Sequence, residues 1–453
     1  MSEQPTNQLT RSLRERDLLY LFVGSVIGSG IFLTPGLILR HLGGSVGFSL
    51  LVWLIGGVLS LLGALTYAEL SAANPEAGGL YCYIRDAFGR LLAFLYGWSL
   101  LLIIASATIA ALAHAFTSYL EQIIPLSRAG ELIVPVLMIA AVTVVNIWGT
   151  RKSSDLQNVT TLIKVGIIVL LGSVLLILGF WRGKHAAELS AAMGSSLSGF
   201  ALISAFGFAM ITVLWAYEGW QFGTYSAGEV INPQKSFPRA FLFGSVLLAG
   251  LYLYAVIAYL VALGPRAAAA SDTIAAAAAT SVLGLWAGKL VAAAILISTF
   301  SSSNSVMLTA PRVFFAMAKD NLFFKKLAEV HPSFGTPAAA VFVLGSWSCI
   351  LALAGGFEKL TNAVILIGWI FYGLGAAAIF PIRRANQGKT IPYRVPGYPI
   401  TPLIFILAAL AIVGNAVYAA IADPRQFTYL LVAIGLMLLG LPGYFFWSRG
   451  SRN

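Results

Sequence analysis

Long apolar runs recur along the 453-residue chain and alternate with short polar connections. Each run has roughly 18 residues or more, which is enough for an α-helix to cross the hydrocarbon core of a membrane. The runs lie at about 16–41, 46–73, 88–120, 131–150, 158–181, 199–231, 238–263, 282–315, 337–354, 360–382, 400–421 and 427–447. This pattern predicts an all-α polytopic membrane protein with 12 transmembrane helices.

The composition supports a membrane protein. The chain is 59% hydrophobic and only 10% charged, whereas a soluble protein of this length needs more charged side chains to cover its surface. The polar N-terminus, "MSEQPTNQLTRSLRERD", has no apolar core followed by a small-residue cleavage site. No removable signal peptide is therefore predicted.

The formal net charge of +11 is distributed unevenly among the connections. Most of the 28 lysine and arginine residues lie in connections that share a side of the membrane with the N-terminus if successive helices alternate in direction. The positive-inside rule then places both termini in the cytoplasm of a multi-pass protein in the plasma (inner) membrane. The basic excess is explained by this topology, and no nucleic-acid partner is predicted.

Two apolar segments are interrupted by glycine-rich stretches, "GSVIGSGIFLTPG" at 24–36 in segment 1 and "WAYEGWQFG" at 215–223 in segment 6. Because five segments separate them, the second half would cross the membrane in the opposite sense, as in an inverted repeat. Gly24 and Gly28 also have the spacing of close helix packing, which is the alternative explanation. The predicted regions are a cytoplasmic tail (1–15), a five-helix repeat (16–181), a second, inverted repeat (199–382), two further helices (400–447) and a cytoplasmic tail (448–453).

The interruptions carry the candidate binding chemistry. Unsatisfied backbone groups are costly in lipid, so an unwound stretch persists only where it lines a cavity or meets a ligand. Unwinding at Gly28, Ser29 and Gly30 would leave a helix N-terminus that suits a carboxylate, and free carbonyls at Val26 and Ile27 that suit an ammonium group. Segment 6 offers a complementary set at Trp215, Ala216, Tyr217, Glu218, Gly219 and Trp220. Together they predict a receptor for a zwitterionic α-amino acid.

The motifs resemble those of a known family. "GSVIGSGIF", "WAYEGWQFGTYSAGEVINPQKSFPRA" and "STFSSSNSVMLTAPRVFFAMAKD" are similar to the amino acid–polyamine–organocation superfamily, and within it to the L-type amino acid transporter branch. The resemblance covers essentially the whole chain. It implies a LeuT-like fold, a 5+5 inverted repeat plus two helices, with helices 1 and 6 unwound at mid-membrane.

The resemblance also implies roles for individual residues. The substrate carboxylate would be bound by Ser29, Gly30 and Ile31, and carbonyls of Val26, Trp215 and Glu218 would face the amino group. Trp215 falls where the family places an aromatic gate over the substrate.

Lys164 is a charged residue inside segment 5. Inserting a lysine there costs roughly 2.5–3.5 kcal/mol, so it either has polar partners or extends to the cytoplasmic interface. The resemblance implies that its ammonium group takes the place of the cation of sodium-coupled relatives, between segment 1 near Gly24 and segment 8 near Ser298. Transport would then be independent of sodium.

Acidic residues near segment 6 leave several interpretations open. Glu218 departs from the small residue of many eukaryotic members of the branch, and it would attract cationic substrates, carry a proton, or pair with a donor such as Lys164. Glu229 and Arg239 are predicted to form an inner gate or a loop clamp. Glu69, in segment 2, is predicted to be a polar residue satisfied by its neighbours.

The sequence contains no catalytic or metal-binding constellation. The four histidines are scattered, and no nucleotide-binding or nucleophile motif is present. No enzyme activity, cofactor or metal is therefore predicted. The segment between helices 3 and 4, "EQIIPLSRAGELIVP", has no cysteine, so no disulfide-linked heavy subunit is expected, and nothing indicates an oligomeric state.

These observations predict a secondary active amino acid transporter that works by alternating access, with sodium-independent exchange of neutral L-amino acids. One alternative is a proton-coupled permease, or a carrier of cationic amino acids or polyamines. Another is a channel, or a membrane sensor that binds amino acids without moving them.

Overall fold

The computed structural model describes residues 9, 11–183, 185–194, 197–388, 392–422 and 424–450. Of the predicted terminal tails, residues 1–8, 10 and 451–453 lie outside this described part. Within it the chain is helical and contains no β-strand, and one isolated bridge pairs Leu13 with Val230.

The helices follow one another with short connections. Those up to residue 182 are α1 (Glu15–Val26), α2 (Gly30–His41), α3 (Val46–Ala73), α4 (Leu80–Phe88), α5 (Arg90–Ser99), α6 (Ala105–Glu121), α7 (Arg128–Ile147) and α8 (Thr150–Arg182). Those that follow are α9 (Ala186–Ala191), α10 (Gly199–Ala216), α11 (Pro233–Leu263), α12 (Pro265–Ala270), α13 (Ile274–Leu283), α14 (Leu285–Thr309), α15 (Pro311–Lys319), α16 (Ala338–Ala354), α17 (Phe357–Ala377), α18 (Ile379–Ala385), α19 (Ile400–Ala422), α20 (Pro424–Leu438) and α21 (Gly440–Gly450). A π-helical segment, Leu100–Ile104, joins α5 to α6, and 3₁₀ segments occupy Trp220–Glu229 and Lys325–Ala328.

Ten helical stretches in the described residues are long and apolar enough to cross a membrane, and the bent pair α1–α2 makes eleven. The chain is therefore an integral multi-pass membrane protein. Twelve spans were predicted from the sequence. The difference lies at α16, which is apolar but has only 17 residues.

The first break lies at residues 27–29, between α1 and α2, whose axes differ by 40°. Here the N–H of Gly28 donates to the carbonyl of Val26 at 2.8 Å, a tight local turn in place of a helical bond. The chain then resumes as α2 at Gly30. The glycine-rich stretch of segment 1 thus coincides with an interruption of the helix.

The second break follows α10, where residues 217–219 form a turn before the 3₁₀ segment Trp220–Glu229. Gly219 has a φ of 120°, which side-chain-bearing residues rarely adopt. A Cβ atom at Gly219 would also lie 2.8 Å from the carbonyl oxygen of Ser25. Glycine is therefore required where the two breaks face each other.

The fifth predicted segment begins earlier than expected, because α8 starts at Thr150 and not near residue 158. The polar stretch before the apolar run remains helical because one of its faces is buried. Ser153 and Gln157 on that face form hydrogen bonds with Asn304 of α14. Such a buried polar face has no apolar periodicity from which it could be predicted.

The two ends of the helix bundle differ in how tightly they are closed. At the end that carries Leu13, here called the N-terminal end, Arg312 and Glu229 form an ion pair at 2.7 Å and both are buried. At the opposite end, here called the vestibule end, an exposed ion pair joins Arg40 of α2 to Asp272 between α12 and α13 at 2.5 Å. The ion pair at the N-terminal end is therefore buried, and the one at the vestibule end is exposed.

Glu69 of α3 joins three parts of the chain at the end of the bundle near α18. Its carboxylate accepts two hydrogen bonds from Arg383 at 2.6 Å each and one from the backbone N–H of Val395 at 2.5 Å. The guanidinium of Arg383 also lies 3.7 Å from the ring centre of Tyr398. The prediction that Glu69 is satisfied by its neighbours is confirmed.

Replacing Glu69 by alanine should destabilise the protein by about 3 kcal/mol, because the Arg383 guanidinium and the Val395 N–H would lose their acceptor. Thermal unfolding of the purified protein in detergent measures this effect. The exposed Glu329 provides the control, since Glu329→Ala should unfold at the wild-type temperature. Equal unfolding temperatures for the two variants would contradict the structural role of Glu69.

Candidate functional site

Lys164 of α8 reaches the first break. Its side chain is buried, and Nζ donates to the carbonyl oxygens of Gly24 at 2.6 Å and Ile27 at 2.7 Å and to the hydroxyl of Ser302 at 3.0 Å. These three acceptors use all three hydrogens of an ammonium group. Lys164 therefore has polar partners within the bundle and does not extend to the interface.

The position of this ammonium group follows from the helix that it meets. Helix α1 ends at Val26. The carbonyl groups of the last turn of a helix receive no hydrogen bond from within that helix, and they carry the partial negative charge of the helix dipole. An ammonium group at this end supplies the missing donors and a compensating positive charge. Lys164 thus acts as a cap for the interrupted helix, supplied by α8.

The segment 8 contact differs from the expected one. Ser302, one helical turn beyond Ser298, forms the hydrogen bond with Lys164. Ser298 Oγ instead lies 3.2 Å from the carbonyl oxygen of Ile27 and 3.3 Å from that of Gly28. Both serines lie on the α14 face that packs against the first break. Because they are one helical turn apart, the sequence alone does not decide which of them reaches Lys164.

Ile27 was predicted to offer a free carbonyl to a substrate ammonium, and this prediction is wrong. Its oxygen accepts from Lys164 and lies within hydrogen-bond distance of Ser302 and Ser298. The group that it meets is an ammonium, as its chemistry suggests, but one that belongs to the protein.

The α2 side of the break has the opposite character. Within the described residues, the backbone N–H groups of Ser29, Gly30 and Ile31 donate to no acceptor. They belong to the first turn of α2, where the helix dipole is positive. Ser29 and Gly30 line a buried cavity of about 20 Å³ together with Ser25, Val26, Gly28, Thr108, Leu112, Trp215, Glu218 and Phe222.

Trp215 separates this small cavity from a larger one. Its side chain lines both the 20 Å³ cavity and a cavity of about 540 Å³ at the vestibule end. The indole N–H lies 3.4 Å from Ser29 Oγ, and the ring meets Phe357 edge-on with centroids 5.7 Å apart. Trp215 therefore lies over the first break, between it and the vestibule end.

The two breaks are joined by a residue that the sequence did not single out. The hydroxyl of Tyr252 in α11 lies 2.9 Å from the carbonyl oxygen of Val26 and 3.1 Å from that of Ala216. Ser25 Oγ adds a contact at 3.1 Å to the carbonyl oxygen of Gly219. Tyr252 was missed because a tyrosine in an apolar run has no distinguishing pattern.

Glu218 is not paired with Lys164. One carboxylate oxygen, Oε1, accepts hydrogen bonds from Tyr372 Oη and from Gln221 Nε2, both at 2.6 Å. Tyr217 points elsewhere, with its hydroxyl 3.1 Å from the carbonyl oxygen of Trp53. Of the interpretations given for Glu218, pairing with Lys164 does not occur, and the carboxylate is hydrogen-bonded to the neutral donors Tyr372 and Gln221 instead.

The remaining segment 6 residues have structural contacts. Trp220 packs edge-on against Tyr67 with centroids 5.0 Å apart. Glu229 pairs with Arg312, which also donates to Thr150 Oγ1 at 2.8 Å. The expected partner, Arg239, is exposed and lies 3.5 Å from Glu15 instead. Glu229 thus closes the N-terminal end, with a cation from α15.

Gly30→Ala should disrupt the site, because a Cβ atom would lie 2.3 Å from the Cα atom of Ala216, a backbone atom that cannot move away alone. We expect a lower thermal unfolding temperature in detergent. The control is Gly250→Ala on α11, where a Cβ atom meets nothing within 4 Å and helix propensity favours alanine. If both variants unfolded at the wild-type temperature, the close contact between the two breaks would be refuted.

The amino-acid sequence is similar to those of known proteins. The family profile described as amino acid permease matches residues 13–440. The serine/threonine exchanger SteT of Bacillus subtilis is 33% identical over 430 residues, covering 94% of each chain.

Mammalian proteins are similar over nearly the whole of this chain. The human large neutral amino acids transporter small subunit 2 is 29% identical over 446 residues, covering 95% of this chain and 80% of its own. The mouse b(0,+)-type amino acid transporter 1 is 29% identical over 459 residues, covering 100% of this chain and 92% of its own. Since the profile spans both breaks and nearly every described helix, the chain belongs to the amino acid permease family.

Proposed function

We propose that this protein is a secondary active transporter that exchanges neutral L-amino acids by alternating access, without sodium. The observation that carries the proposal is the small cavity between the two breaks, which is lined both by residues at the start of α2 with free N–H groups and by the acidic residue Glu218. The N–H donors and the acidic side chain match the two charged groups of a zwitterion, and the cavity of about 20 Å³ must widen to admit one. The names of similar proteins, a serine/threonine exchanger and a neutral amino acid transporter subunit, support exchange and the substrate class.

We further propose a LeuT-like architecture with twelve spans, in two inverted repeats (16–181 and 199–382) followed by 400–447. The ten long apolar helices, the bent pair α1–α2 and the short α16 together make twelve. The breaks in the first span of each proposed repeat support the symmetry. In this scheme α1 and α2 are two halves of helix 1, unwound at mid-membrane, and the turn after α10 interrupts helix 6.

Alternating access requires that the two ends of the bundle open in turn. The 540 Å³ cavity at the vestibule end and the buried Arg312–Glu229 pair at the N-terminal end fit an outward-facing arrangement. Trp215 would then be the outer gate over the substrate, and Glu229 part of the inner gate. Tilting of α1 away from α8 and α14 would open the N-terminal end.

The distribution of basic residues supports cytoplasmic termini and the plasma (inner) membrane as the location. We also propose that the protein works without a disulfide-linked heavy subunit. Cys82 is buried and Cys349 is half-buried, and neither lies in the connection between α6 and α7.

Sodium independence rests on Lys164. Its ammonium group fills the space between Gly24, Ile27 and Ser302 with three hydrogen bonds. A sodium ion could enter this space only if the Lys164 side chain left it. The oxygen atoms around it would then lose the three hydrogen bonds from the ammonium group.

Counterflow tests exchange. Proteoliposomes loaded with unlabelled L-serine should take up labelled L-serine faster than empty ones, because the return step carries substrate. Equal uptake by loaded and empty vesicles would reject obligatory exchange and favour a proton-coupled permease. A channel would show no counterflow, and a sensor would bind serine without any uptake.

Replacing sodium by choline should leave the counterflow rate unchanged, whereas Lys164→Met should abolish counterflow and lower the stability by about 3 kcal/mol through unsatisfied carbonyls. The control is Lys289→Met, at an exposed lysine of α14, which should behave as the wild type. A strict sodium requirement of the wild type would overturn the role given to Lys164.

A further inference from the structure

We propose that the carboxylate of Glu218 receives the α-ammonium group of the substrate, and that Tyr372 and Gln221 are positioning residues that hold this carboxylate in place. The inference rests on the proposed amino acid site and sharpens it, because it assigns the amino group to a side chain rather than to backbone carbonyls.

Glu218 faces the cavity with one oxygen atom free. Glu218 lines the same 20 Å³ cavity as Ser29 and Gly30 at the start of α2. Oε1 is occupied by its two donors, whereas Oε2 has no hydrogen-bond partner in the described part of the chain. A carboxylate oxygen without a partner in the described residues thus lies beside the space where a zwitterion would bind.

The orientation of this carboxylate is fixed by a closed set of hydrogen bonds. Gln221 Oε1 accepts the backbone N–H of Gly219 at 3.3 Å, so the amide nitrogen faces the other way. That nitrogen donates to Glu218 Oε1 at 2.6 Å and to Tyr372 Oη at 2.7 Å. The Tyr372 hydroxyl, which already accepts from Gln221, gives its own hydrogen to Glu218 Oε1. Both neighbours thus donate to one oxygen and leave the other for a ligand.

Three of the four backbone carbonyls expected to hold the amino group, those of Val26, Ile27 and Trp215, are already engaged. That of Val26 accepts from the N–H of Gly28 and from Tyr252. That of Ile27 accepts from Lys164, and that of Trp215 accepts from the N–H of Glu218 at 3.2 Å. Of the predicted acceptors, Glu218 alone keeps oxygen atoms without a partner within the described residues.

The charges lead to the same assignment. No lysine, arginine or histidine of the described residues forms an ion pair with Glu218, and Lys164 uses its three N–H groups elsewhere. A buried carboxylate without a cation is unfavourable. A bound zwitterion supplies the cation and places its own carboxylate at the positive end of α2. The contact involves only the part that all α-amino acids share, so it leaves the side chain free.

The test compares L-serine with L-glycerate, which carries a hydroxyl group in place of the ammonium. In proteoliposomes, each is used to compete with labelled L-serine. The wild type should bind L-glycerate far more weakly than L-serine. Glu218→Gln should lower the affinity for L-serine by roughly 30-fold or more, as for a buried charge pair that loses one partner. Glycerate should hold or gain affinity because the repulsion between two carboxylates is removed. The serine-to-glycerate ratio should therefore narrow at least tenfold.

Three results would overturn the inference. Glu218→Gln could leave the affinity for L-serine unchanged. It could lower only the affinity for cationic amino acids such as L-lysine, which would assign Glu218 to side-chain recognition. It could keep serine counterflow but remove the response to a proton gradient, which would assign Glu218 to proton transfer. Counterflow by the wild type tests the proposed exchange separately, so either idea can fail while the other stands.

If Glu218→Gln binds neither L-serine nor L-glycerate, Tyr372→Phe tests the role of the Glu218 carboxylate instead. This variant should fold and keep the carboxylate, but it removes one of the two donors. We expect severalfold weaker serine binding and a narrower serine-to-glycerate ratio. Tyr83→Phe, whose hydroxyl meets Ser71 and not Glu218, should leave the ratio at the wild-type value. An unchanged ratio in Tyr372→Phe would overturn the inference.

Discussion

The structure depends on how an interrupted helix can be tolerated inside an apolar bundle. Breaking α1 from α2 exposes carbonyls on one side and N–H groups on the other, with no water to satisfy them. The carbonyl side is satisfied by the ammonium group of Lys164 and by the hydroxyls of α14. The N–H side is left open toward a cavity. This asymmetry satisfies the break on its carbonyl side and leaves hydrogen-bond donors free on its N–H side.

The other buried polar contacts follow from the same constraint. Tyr252 and Ser25 connect the first break to the second, so each interruption lies against the polar atoms of the other. Gly30 and Gly219 permit the close approach, because a side chain at either position would meet backbone atoms. The two breaks are therefore one structural unit, assembled from distant parts of the chain.

Much of this arrangement could be predicted from the sequence. Hydrophobic runs identified the helices, and glycine-rich stretches within apolar runs identified both breaks, because such residues are unfavourable there without a reason. The partners across the bundle could not be predicted. Whether Lys164 meets Ser298 or Ser302 depends on the position of α14 along its axis to within one turn, and whether Glu218 meets Lys164 or Tyr372 depends on the direction of its side chain at the break. A periodic pattern defines neither. The apolar helix α16, with 17 residues, is too short to be counted as a span on length alone.

The hydroxyl group of Tyr252 has one hydrogen and two nearby carbonyl oxygens, those of Val26 and Ala216. At any instant it donates to only one of them. The two half-helices thus share a single bond, and it can pass from one to the other by rotation about the C–O bond of the ring. When one break moves away, the hydrogen bond follows the break that remains, so separating the two breaks does not leave the tyrosine without a partner.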